Sequence, residues 1–69
     1  MKKEALIQRA REYAKQKGWV VDQYVVSDFK RSRQGCWIKF DGKSKRPGDH
    51  FSVTADCSTG KGLRLVPGR

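Results

Sequence analysis

At 69 residues the chain has room for a single domain, and one of this size buries only about 60% of the surface that its unfolded form exposes. Apolar residues make up 36% and charged residues 33%; aromatics and a clear periodicity argue against disorder, no apolar run is long enough to span a bilayer, and no signal-peptide pattern is present, so a soluble, cytoplasmic protein is expected. Sixteen Lys and Arg against seven Asp and Glu give a formal charge of +9, which predicts nucleic acid as the first partner and an acidic protein as the second, with a membrane surface set aside for want of a cationic helix bearing a bulky apolar face.

From Lys3 to Lys17 the pattern is helical. Leu6, Ala10, Tyr13 and Ala14 recur at three- and four-residue spacing and form one apolar stripe, with Ile7 at its edge. Gly18 suits the left-handed position just past a helix end, and Lys15 and Lys17 suit the last turn. Arg11 and Lys15 are expected on the outward face. Trp19 to Val26, rich in β-branched and aromatic residues, reads as a first strand. Its alternation is imperfect, which predicts a bulge near Asp22-Gln23 or burial on both faces. Ser27 to Gly35 reads as a polar hairpin loop, in which Lys30, Arg31 and Arg33 are either solvated or a phosphate clamp.

Cys36 to Phe40 alternates strictly and reads as the second strand. Cys36, Ile38 and Phe40 fall on one face, Trp37 and Lys39 on the other. Asp41-Gly42 signals a turn into a second basic loop, with Lys43, Lys45 and Arg46. The third strand runs from about His50 to Cys57, with Phe51, Val53, Ala55 and Cys57 in the core phase. A glycine-rich turn, Ser58 to Gly62, leads to a short fourth strand, Leu63 to Val66, with Leu63 and Leu65 inward. The expected fold is α+β: an N-terminal helix packed on one face of a small four-stranded antiparallel sheet. Leu6, Ala10, Tyr13, Ile38, Phe40, Phe51, Val53, Leu63 and Leu65 would form the core. Trp37, Lys39, His50, Ser52, Thr54 and Arg64 would lie on the far face.

Cys36 and Cys57 are too few and too far apart for a zinc site. Buried free thiols are expected in a reducing compartment, and a cross-strand disulfide if the protein is secreted. The carboxylates do not cluster at metal-site spacing, so no metal or cofactor is expected. His50 and Cys57 would point to opposite faces of one strand and cannot act together. A ribonuclease built on His50, with Lys39 or Arg64 against the phosphate and Asp49 or Asp56 orienting the imidazole, needs a second acid or base nearby. Glu4 and Glu12 lie on the helix, and Asp56 is roughly 20 Å from His50 along the strand. The Ser58–Gly62 turn lacks the spacing of a P-loop, although its NH groups and Lys61 could hold one phosphate.

A helix followed by Lys17-Gly18-Trp19-Val20 and a small antiparallel sheet resembles the HicA-type toxin ribonucleases and their double-stranded-RNA-binding-like relatives over about the first 26 residues. The Gly-Ser-His segment of that family has no counterpart between Lys30 and Gly35, and no functional residue carries over. The residues themselves point to a non-enzymatic binder of RNA or single-stranded DNA. Trp37 would stack on a base, while Lys39 and Arg64 neutralise the backbone. Lys30, Arg31, Arg33, Lys43, Lys45, Arg46 and Lys61 would supply flanking contacts. A module that docks on an acidic protein, of the kind found among phage and mobile-element products, is the first rival and the His50 ribonuclease the second.

Overall fold

A computed structural model describes residues 1–43 and 49–68. Along the chain come α1 (Lys3–Gln16), a 3-10 turn (Val21–Gln23), β1 (Tyr24–Ser32), β2 (Gly35–Gly42), β3 (His50–Ala55) and β4 (Arg64–Pro67). The strands form an antiparallel meander in the order β1-β2-β3-β4, and α1 packs on one face. The expected α+β architecture is the one observed.

The helix closes as its sequence demands. Gly18 takes a φ of +94°, its NH bonds to the Lys15 carbonyl, and the Trp19 NH reaches back to the Ala14 carbonyl. This pair of bonds satisfies carbonyls that the last turn leaves open. Leu6, Ala10 and Ala14 are buried against Cys36, Ile38, Phe40, Phe51 and Val53. Arg11 is not on the outward face. Its guanidinium lies 5.6 Å from the Phe40 ring centroid and donates to the Val21 carbonyl at 3.3 Å, so its stem covers the core while its head finds a partner.

The first strand starts later and runs further than its composition predicts, sharing Tyr24 to Val26 with the expected stretch. Residues 21–23 coil into the 3-10 turn, with the Gln23 NH bonded to the Val20 carbonyl. Trp19 is thereby delivered onto Phe51, with ring centroids 4.6 Å apart. β1 then starts at Tyr24 and runs through Lys30 and Arg31, the stretch that reads as a loop. The bulge falls at Ser27, since Val26 pairs with Phe40 and Asp28 with Lys39. One inserted residue reverses the phase, so Val26 and Phe29 both face the core. Arg33 and Gln34 form the tight turn before Gly35. Gly35 takes a φ of +141°, and a Cβ there would lie 2.9 Å from the Ala55 carbonyl oxygen.

β2 and β3 alternate as expected, burying Cys36, Ile38 and Phe40 against Phe51, Val53 and Ala55. Phe40 and Phe51 are cross-strand partners with stacked rings, 4.8 Å between centroids. The cysteines are not free thiols: Cys36 and Cys57 form a disulfide with a Cα–Cα distance of 5.2 Å. β3 ends at Ala55, opposite Cys36, and the chain turns back just beyond, which brings Cys57 alongside. The turn is closed internally. The Asp56 carboxylate accepts the NH groups of Ser58 (2.8 Å) and Thr59 (3.0 Å), the Gly60 NH bonds to the Asp56 carbonyl, and the Lys61 NH bonds to the Thr59 hydroxyl. Those NH groups are committed, so they form no phosphate nest. The Thr59 and Ser58 NH bonds hold the Asp56 carboxyl below its ordinary pKa.

Candidate nucleic-acid interface

The second face of the sheet lies opposite α1, and strand register sorts its side chains into rows. Lys30, Trp37, Thr54 and Arg64 are successive cross-strand partners from β1 to β4. The next row is Asp28, Lys39, Ser52 and Val66, and beyond it Asp41 stands opposite His50. Neighbouring strands are about 4.8 Å apart and alternate residues on one strand about 7 Å. Trp37 therefore has a cation one strand away in Lys30, another one row away in Lys39, and a third two strands away in Arg64.

Trp37 is half-buried and packs outside the core cluster. The Lys30 ammonium lies 5.3 Å from its ring centroid, so cation and aromatic surface form one feature. A shallow groove of about 500 Å³ runs from Trp37 past Lys39 and Ser52 to His50, walled by Val66, Pro67 and Gly68. A second, of about 550 Å³, continues from His50 towards Asp41, Asp49 and Lys43.

Four of the expected contact residues, Lys30, Trp37, Lys39 and Arg64, share this face; Arg31, Arg33, Lys43 and Lys61 are dispersed. Arg31 pairs with the buried Cys36 and so belongs to the helix side, where its guanidinium is 5.9 Å from the Phe29 ring centroid and Lys3 is 5.4 Å from it. Arg33 sits in the β1–β2 turn at one end of β2 and Lys43 just past the other end, its NH bonded to the Gln23 carbonyl. Lys61 lies in the closed turn after β3. Lys45 and Arg46 fall outside the described residues.

The face also carries acids. Asp41 follows Trp37 and Lys39 in the same phase of β2, and its carboxylate is 3.9 Å from the Lys39 ammonium. Asp28 is the cross-strand partner of Lys39. Asp41 could have been found by carrying the alternation of β2 two residues further, past the point where Asp-Gly signals a turn. Asp28 could not, because its phase depends on the bulge. Asp56 lies beyond the end of β3 rather than on the face. Asp49 accepts a 2.6 Å hydrogen bond from the Tyr24 hydroxyl. That bond to a carboxylate, with burial and the Asp49 charge, pushes the Tyr24 phenol up to about 12.

Among the described residues no cluster of His, Cys, Asp and Glu is suited to a metal ion, and no helix is long and apolar enough to cross a membrane. Comparison with protein-family models, curated proteins and solved structures finds no match to this chain.

Proposed function

We propose that this protein binds single-stranded nucleic acid, RNA or DNA, on the open sheet face. The observation that carries the proposal is the row Lys30–Trp37–Thr54–Arg64, an indole with cations on both sides of it. Every base has a flat π-face and every nucleotide a phosphate, so an aromatic flanked by cations meets both without reading sequence. Asp28 and Asp41 offset part of the positive charge, so the face grips a few phosphates rather than a long tract. No hydrolytic step is part of the proposal.

Titration of a labelled single-stranded oligonucleotide at several salt concentrations tests it. Three cations on the face, each displacing counterions at about −0.7 per phosphate, give a log–log slope near −2. No binding at low salt, or a slope near zero, would contradict the proposal and favour docking on an acidic protein.

The proposal places the protein in the cytoplasm, beside its ligand, where cellular reductants act on the Cys36–Cys57 cystine. Alkylation of thiols in intact cells before lysis tests that placement. Two alkylated cysteines fit the cytoplasm; a protected cystine assigns an oxidising compartment and removes intracellular nucleic acid as the ordinary ligand.

A further inference from the structure

The groove beside Trp37 has a second end, and that end is built. His50 stands there, and the Gly68 NH donates to its carbonyl at 2.6 Å. A Cβ on Gly68 would lie 2.5 Å from the imidazole Cδ2 and 2.6 Å from Nε2. The ring therefore lies close against bare backbone, in a place that any other residue at position 68 would fill. Val66, 56% exposed, and Pro67 supply an apolar wall next to it. Lys39 and Ser52, cross-strand partners, form the floor between the two ends.

We propose that this groove takes a dinucleotide unit of a single strand, an inference that rests on the nucleic-acid reading of the face. One base stacks on Trp37, the next lies between the His50 imidazole and Val66–Pro67, and Lys39 meets the phosphate that links them. Lengths favour two bases over one. His50 lies across from Asp41, four residues beyond Trp37 on β2, about 13 Å along the strand. One base is too short to touch both rings, and a pair stacked at a rise of about 3.4 Å would not reach them either, so the two bases lie unstacked, splayed to either side of the phosphate at Lys39. A duplex is excluded as the ligand, because its base faces are covered by their neighbours and only base edges reach the grooves.

The test is a length series of a mononucleotide, a dinucleotide and a tetranucleotide, in DNA and RNA forms, with a duplex of the same sequence beside them. Binding is read by quenching of Trp37 emission; Trp19, packed in the core, supplies a constant background that Trp37→Phe identifies. A second stacked base predicts a dinucleotide bound about tenfold more tightly than the mononucleotide, with little further gain from longer strands beyond their added phosphates. His50→Ala and Val66→Asp each cut the ratio of dinucleotide to mononucleotide affinity by about that tenfold, a ratio that cancels the effect of the new carboxylate on a phosphate near Lys39. Val66 is exposed, so its variant keeps the fold and guards against a His50→Ala protein that does not. Equal affinity for mononucleotide and dinucleotide would overturn the inference. So would an unchanged ratio in Val66→Asp, or a duplex bound as tightly as the single strand. If long strands bind and weaken in Trp37→Ala while the length series is flat, the nucleic-acid reading stands and the dinucleotide groove falls; if no length binds, both fall.

Discussion

Arg11 shows how a single side chain can look like surface and act as core. By spacing it belongs with Lys15 on the polar side of α1, yet its guanidinium rests over Phe40 and bonds the Val21 carbonyl. Helical period places a residue within a broad arc, and a long amphipathic side chain at the edge of that arc can turn inward. Tyr24 makes the same point with a measurable consequence. Its phenol has a folded pKa raised from 10.0 to about 12 by the bond to Asp49. A raised value means that the folded state holds the proton more tightly. The contribution is therefore complete below pH 10 and is lost as pH climbs towards 12. Wild type should exceed Tyr24→Phe in stability by a constant margin below pH 10, and the margin should shrink between pH 10 and 12. Denaturant melts of the two proteins across that range check it; a margin that does not change with pH would mean that the phenol does not bond to Asp49. Lys30 and Arg31 mark the limit of legibility at this scale. They are adjacent in sequence and fall on opposite faces, and which one joins Trp37 is decided by the bulge at Ser27.

At the scale of elements, β2 and β3 were legible because one face of each is buried, and burial imposes a period of two. Their phases, and the place of Trp37 and Lys39 opposite the core, follow from alternation alone. β1 was not legible. It is an edge strand with charges along its second half, the composition that keeps a free edge from pairing with another chain, and the bulge breaks its alternation in the middle. Propensity instead favoured a strand beginning at Trp19, but Trp19 and Val21 pack against the core from a turn and Val20 is exposed. The closed turn after β3 was hidden too, because the fate of its NH groups depends on Asp56 folding back over them. The cystine that anchors this turn closes a loop with a sequence separation of 21. On the chain-entropy account such a crosslink is worth about 3 kcal/mol. Cys57→Ala should therefore lower unfolding stability by about that amount, and a reductant should destabilise wild type while leaving the variant unaffected. Equal melts of wild type with and without reductant would remove the crosslink from the account.

For the whole molecule, the charge of +9 is less concentrated than its size suggests. Lys3 and Arg31 converge on Phe29 at the helix side, and Lys43 and Lys61 sit at loops, while the open face mixes Lys30, Lys39 and Arg64 with Asp28 and Asp41. Net charge attracts polyanions without choosing a side; on the proposed reading, the indole decides where a single strand stays. That division of labour makes Trp37→Ala the most direct measurement. If the open face binds by stacking, the variant should lose about 1–3 kcal/mol of affinity for a single strand, while its melting temperature and the salt slope stay close to wild type. Full affinity in the variant would contradict the account outright. A melt far below wild type, the about 3–5 kcal/mol cost of truncating a core aromatic, would show that Trp37 packs rather than stacks.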